Sequence, residues 1–257
     1  MQIFTWKSPD GNFGDDLNHW IWDILLPGIR QVEPDMVMAG IGTVLADVHL
    51  GSDTRKLVVG SGVGYDAIPD VTNGLWDIRC VRGPKTAKAL GLDPSLGVID
   101  PAVIVADLDQ FRGVQKRYPQ SFIPHWQSDM LGEWEFVCGL LGLHYISPRG
   151  DARQVIEQLA ASELVIAESL HGAIIADAFR VPWVAVRTEH VNQFKWEDWA
   201  ASLELDYAPL LLRNSTRGEA KAKQGKFWGR DFLGETEQQT ESGAATPANS
   251  SGTMHWM

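Results

Sequence analysis

The residues best suited to chemistry sit at the ends of short apolar runs. Ser169-Leu170-His171 follows Leu164 to Glu168 directly, and the run that continues to Phe179 is compatible with a helix. A strand, a sharp turn and a helix with a histidine in its first turn would place an imidazole beside unpaired backbone N–H groups. Such groups attract anions. A histidine there can donate to a phosphate or carboxylate, or move a proton near neutral pH. The same residues also read as a plain helix start, with Ser169 as N-cap and His171 solvated or satisfied in the core.

Asn12-Phe13-Gly14-Asp15-Asp16-Leu17 has a similar character. Gly14 would let the backbone approach a ligand, while Asn12 and Asp15 offer an amide and a carboxylate at a helix start. Asp15 could equally be an N-cap favoured by the helix dipole. Arg82 and Arg187 each close an apolar run, where a planar guanidinium would overhang the strand end and suit phosphate or carboxylate. An ordinary surface arginine is the other reading of both. His125, beyond Ile123-Pro124, holds the equivalent position later in the chain, as a ligand or as a satisfied loop histidine. Gly60-Ser61-Gly62-Val63-Gly64 also follows an apolar run, but it fails the last position of Gly-x-Gly-x-x-Gly, which argues against a nicotinamide cofactor. The chain has no P-loop, no Gly-x-Ser-x-Gly elbow and no His-Glu-x-x-His helix.

The elements that must position these groups alternate. Apolar runs at Ile3–Trp6, Met36–Ala39, Leu57–Val59, Ile78–Arg82 and Leu96–Asp100 predict five strands. Leu17, Trp20, Ile21, Ile24 and Leu25 recur at helical spacing and predict one helix from Asp15 to Pro27. Pro84 opens another helix, which Gly91 closes. After a polar link, Asp107 to Gln120, the pattern restarts. Strands are predicted at Ser121–His125, Tyr145–Ser147, Leu164–Ala167 and Trp183–Val186. Helices are predicted at Met130–Leu141, Ala152–Ala161 and after Ser169, with a closing helix around Phe194–Trp199. Continuous apolar strands with glycines at their carboxyl ends imply α/β architecture with parallel sheets covered on both faces. Ligands bind beyond the carboxyl ends of such strands. The expected organisation is an N-terminal Rossmann-like domain at 1–112, a second at 113–213, and a tail at 214–257 that is largely disordered, above all at 234–253.

Composition bounds the function. The net charge of −11 argues against nonspecific nucleic-acid binding and against a polybasic membrane anchor. Anionic substrates would then need a local basic site inside an acidic shell. Hydrophobic residues at 44% suit a globular core. Cys80 and Cys138 lie far apart, so neither a zinc site nor a disulfide scaffold is suggested, and no metal is expected. The first residues lack a signal-peptide pattern and no apolar run is long enough to span a bilayer, so a soluble cytoplasmic protein is expected.

Taken in order, seven pieces resemble the polysaccharide pyruvyltransferase family, closest to enzymes that pyruvylate exopolysaccharides of the succinoglycan type. They are Asn12 to Leu17, Gly40 to Leu45, Val58 to Gly62, Val81 to Pro84, Ile99 to Ala102, Phe122 to His125, and Ser169 to Ile174. The resemblance implies a GT-B-like pair of Rossmann-like halves with the active site in the interdomain cleft. It implies phosphoenolpyruvate as donor substrate with no cofactor. The acceptor would be a sugar diol on a polymeric or lipid-linked glycan, met at the inner face of the membrane, and the product a pyruvate ketal. His171 and Asp15 would be catalytic. Asn12, Gly14, Gly60, Ser61, Gly62, Arg82, His125, Ser169 and Arg187 would bind substrate. Many relatives carry Arg-Leu-His where this chain has Ser169-Leu170-His171, so another cation must hold the donor, with Arg82 and Arg187 as candidates. Two alternatives stay open: a GT-B glycosyltransferase using a nucleotide sugar, and a non-catalytic glycan-binding relative.

Overall fold

The computed structural model describes residues 1–188 and 191–212. The expected disordered tail lies outside the described residues. The first sheet contains β1 (Gln2–Ile3), β2 (Met36–Ala39), β3 (Arg55–Val59) and β4 (Trp76–Cys80), in that order and all parallel. The second contains β5 (Ser121–Ile123), β6 (His144–Tyr145), β7 (Val165–Ala167), β8 (Trp183–Arg187) and β9 (Leu210–Leu211). It is again parallel, in the order β6-β5-β7-β8-β9. The chain runs outward from β5 to β6 and returns on the far side at β7. That reversal opens a crevice beyond the carboxyl ends of β5 and β7, where open α/β sheets bind ligands. The parallel α/β character expected from the sequence is therefore present. One compact unit, Met1–Ser215, contains both sheets.

The helices are α1 (Phe13–Asp16), α2 (Ile21–Leu25), α3 (Asp47–Leu50), α4 (Pro84–Ala89), α5 (Trp126–Leu131), α6 (Trp134–Leu141), α7 (Ala152–Ala160), α8 (Leu170–Ala178) and α9 (Gln193–Ser202). Asp151 starts α7 by accepting from the N–H groups of Arg153 and Gln154. Val155, Ile156 and Leu159 on its inner face are buried. Helix α8 is apolar almost all round, and Leu170 and Gly172 to Ala176 are all buried. A helix of that composition belongs inside the protein rather than on its surface. One continuous core joins Phe13, Leu17 and Met38 to Ile123, Val165 and Ile174.

Three expectations are corrected. The predicted helix after Asp15 breaks into α1, a 3-10 turn at Leu17–His19, and α2. The cause is Asn18, whose buried amide donates to the carbonyls of Asp15 and Ile41 and accepts from Ile41 N–H and Trp22 Nε1. A side chain that bonds backbone in this way competes with the helical ladder. Leu96–Asp100 is no strand. Pro94–Leu96 and Pro101–Asp107 form 3-10 helices capped by Asp93 and Asp100, which leaves a single bridge between Val81 and Gly97. The Met130–Leu141 helix divides into α5 and α6, because Trp134 Nε1 folds back onto Ser128. Among the described residues, no helix is long and apolar enough to cross a membrane.

Helix α9 ties the two sheets together. It follows β8, yet its Asp198 accepts from the Thr86 N–H at the start of α4 at 2.8 Å. Its Trp196 and Trp199 are fully buried and cluster with Trp183. These three of the chain's 11 tryptophans fill the space between β8 and the closing helix.

Candidate active site

The carboxyl edges of both sheets face one cleft of about 310 Å³, large enough for a small ligand. The first half contributes Asn12 and Asp15 after β1, Thr43 after β2 and Arg82 after β4; the second contributes His125 after β5 and Ser169 and His171 after β7. The crevice at the strand reversal is thus the place where both histidines stand. Glu168 holds it open. Its buried carboxylate accepts from His125 N–H at 2.9 Å and Thr188 N–H at 3.1 Å, which pins the ends of β5, β7 and β8.

Ser169 caps α8 and stands at the cleft. Its hydroxyl accepts from Gly172 N–H at 3.3 Å. His171 is mostly buried, edge-on to Phe13, with Nε2 3.8 Å from Asp100 Oδ2. That distance is too long for a hydrogen bond, and neither atom has another partner among the described residues. Burial, then the nearby charges of Lys195 and Arg82, push the His171 pKa down to about 3. His125 is pushed well below its ordinary value by burial, with Lys195 and His171 adding to the effect. Both imidazoles are therefore neutral at physiological pH. Burial raises Asp15 to about 7, with Asp16 and Asp100 adding and Lys195 and Asn12 opposing. Burial likewise raises Asp100 to about 6 against the pull of Arg82. Asp15, which lines the cleft, is thus poised to exchange a proton around pH 7.

Arg82 is almost wholly buried. Its Nε lies 3.3 Å from Asp198, Nη1 donates to Thr43 Oγ1 at 2.8 Å and Nη2 to the Val63 carbonyl at 3.3 Å. Its charge is shared with Asp198. Lys195 is different. Its buried Nζ lies 3.1 Å from His125 Nε2, and among the described residues no carboxylate pairs with it. A desolvated ammonium with no carboxylate at ion-pair distance makes the cleft receptive to anions.

The glycines of the predicted site do not line the cleft. They make room for the residues that do. A Cβ on Gly14 would stand 2.0 Å from His171 Nδ1, and one on Gly62 would stand 2.3 Å from Arg82 Nη2. Gly60, at φ +109°, packs under Pro101, and Ser61 donates to the Gly40 carbonyl. Arg187 is also outside the cleft-lining set. Lys195, Asp198, Asp100 and Glu168 are the residues that sequence reasoning missed. A signal for Lys195 existed: it lies four residues before Trp199 and three before Asp198, on one face of α9.

Two parallel sheets thus bring their carboxyl ends to one cleft lined by Arg82, His125, His171 and Lys195. Comparison with known proteins gives the class. Residues 57–190 match the family model for polysaccharide pyruvyl transferase. The chain is also 53% identical over 240 residues to the succinoglycan biosynthesis protein ExoV of Rhizobium meliloti (strain 1021), spanning 93% of this chain and 76% of that protein. The chain belongs to the polysaccharide pyruvyl transferase family. The matched family span contains Arg82, His125, Ser169 and His171, whereas Asn12, Asp15, Thr43 and Lys195 of the same cleft lie outside it.

Proposed function

We propose that this protein moves a pyruvyl group from phosphoenolpyruvate to two hydroxyls of one sugar, forming a cyclic ketal on succinoglycan or a closely similar glycan. The carrying observation is the convergence of Lys195, Arg82 and two neutral histidines with a protonatable Asp15 in one cleft. In this reading the sheets act as the two halves of a GT-B-like frame. The acceptor is met as a polymer or a lipid-linked precursor, in the cytoplasm at the inner face of the membrane.

The donor's phosphate and carboxylate sit against Lys195, Arg82 and the α8 N-terminus. Lys195 takes the part that an arginine before Leu170 would play. Arrival of the anion favours a protonated His171, which hydrogen-bonds the phosphate as it departs. Asp15 gives its proton to the donor's methylene carbon, which becomes a methyl group. The first sugar hydroxyl bonds to the neighbouring cationic carbon and loses its proton to Asp15. The C–O bond to phosphate breaks as His171 gives the departing phosphate its proton, and the second hydroxyl closes the ketal and returns its proton to His171. Family membership favours this reading over a nucleotide-sugar transferase.

A thermal melt tests the donor assignment. Phosphoenolpyruvate at a hundred times its Kd should stabilise the fold by about 2.7 kcal/mol, while a nucleotide sugar should not. Stabilisation by nucleoside diphosphate sugars and none by phosphoenolpyruvate would overturn it.

A further inference from the structure

The inner end of the cleft is charged, but its rim is aromatic. Trp6, from the loop after β1, meets Trp126, at the start of α5, with ring centroids 5.5 Å apart and planes inclined by 47°. The pair is built from both sheets. Tyr65 stands nearby, 56% exposed, with Lys195 Nζ 5.7 Å from its ring centroid. Trp6 packs partly against a core cluster of the first sheet, whereas Trp126 and Tyr65 pack against neither core cluster. Two large aromatic side chains thus turn their surface to the cleft rather than to the core. Beside them His49 Nε2 and Asp66 Oδ2 lie 2.9 Å apart, and both line the cleft.

Aromatic faces next to a carboxylate and an imidazole suit one ligand chemistry. A pyranose presents a C–H face to an electron-rich ring and hydroxyls to polar groups at the ring edge. An anionic donor gains nothing from such a rim, because the negative face of an aromatic ring repels it. We infer that Trp6, Trp126 and Tyr65 form the acceptor subsite, holding a neutral sugar ring over the charged pole, with the His49–Asp66 pair binding its hydroxyls. This rests on the proposed pyruvyl transfer for its role, though not for the binding itself. The Lys195–Tyr65 contact gives the two subsites a shared wall, so an acceptor ring stacked on Tyr65 lies beside the donor-binding ammonium.

The test measures binding of a non-pyruvylated succinoglycan oligosaccharide by calorimetry, and separately the KM for that oligosaccharide and for phosphoenolpyruvate. Trp126→Ala and Tyr65→Ala should each weaken oligosaccharide binding on the order of tenfold. Both should raise its KM to match, and Trp126→Ala should leave the phosphoenolpyruvate Kd unchanged. Trp126→Phe should recover most of the loss. Tyr65 is exposed, so its variant keeps the test decisive should Trp126→Ala unfold. Unchanged oligosaccharide affinity in Tyr65→Ala and in a folded Trp126 variant would overturn the inference. Binding that depends on the aromatics in a protein that never consumes phosphoenolpyruvate would instead sink the proposed reaction and leave the subsite standing.

Discussion

Alanine at position 14 isolates the positioning of His171 from every other property of the site. Gly14 lies within α1 and has no left-handed backbone to preserve. Alanine is the better helix former there by about 1 kcal/mol. The obstacle is the His171 ring, because the new Cβ would meet Nδ1 at 2.0 Å, Cγ at 2.4 Å and the His171 Cβ at 2.8 Å. Comfortable separation is about 3.5 Å, so the ring must retreat by roughly 1.5 Å. A displacement of about 1 Å in a group that acts at the reacting atoms costs about a hundredfold in rate, or about 2.7 kcal/mol of transition-state stabilisation. Gly14→Ala should therefore lower kcat for phosphate release from phosphoenolpyruvate by at least that factor. Urea unfolding should also show a loss of about 1–3 kcal/mol, because the His171 Cβ cannot swing clear of the new methyl group. The assay pairs acceptor-dependent phosphate release with urea unfolding of the same preparation. A folded Gly14→Ala protein with wild-type kcat would refute the argument that His171 must occupy this place.

Gly62→Ala should act in the same way on Arg82, because the new methyl group would stand 2.3 Å from Nη2; the loss should appear chiefly in the phosphoenolpyruvate KM. Lys195→Met removes the unpaired ammonium while keeping its length, and should weaken phosphoenolpyruvate binding at least tenfold by calorimetry. Asp15→Asn should abolish transfer yet stabilise the fold at alkaline pH. The folded pKa of Asp15 is raised to about 7 from 3.8, so its stabilising contribution is complete below about pH 4 and lost as pH rises through 7. The asparagine protein should gain on the order of 2–4 kcal/mol over wild type at pH 8, and the gain should fade toward pH 4, as followed by urea unfolding at both values.

Much of the site was readable because strand ends are punctuated locally. Glycine turns and the polar residues just past an apolar run mark the edge where ligands bind, and Asn12, Asp15, Arg82, His125, Ser169 and His171 all converge there. The glycines read as ligand contacts because sequence spacing cannot distinguish backbone that touches a ligand from backbone that makes room for a neighbour; Gly14 and Gly62 do the latter. Lys195 and Asp198 escaped for a different reason. Their partners, His125 and Arg82, lie 70 and 116 residues away, and only the docking of α9 across the strand ends joins them. The broken helix at Asn18 has the same origin, since the amide that interrupts it bonds to Ile41 on the neighbouring strand end. Local pattern specifies the elements, and long-range polar contacts decide where they stop.

We propose phosphoenolpyruvate as the source of the pyruvyl group that this cleft transfers. Purified protein incubated with phosphoenolpyruvate and a non-pyruvylated succinoglycan oligosaccharide should release one phosphate for each ketal-linked pyruvyl group gained by the glycan, as measured by phosphate assay and mass spectrometry together. Phosphoenolpyruvate left intact, with the glycan unchanged in mass under conditions where the protein is folded, would contradict the account.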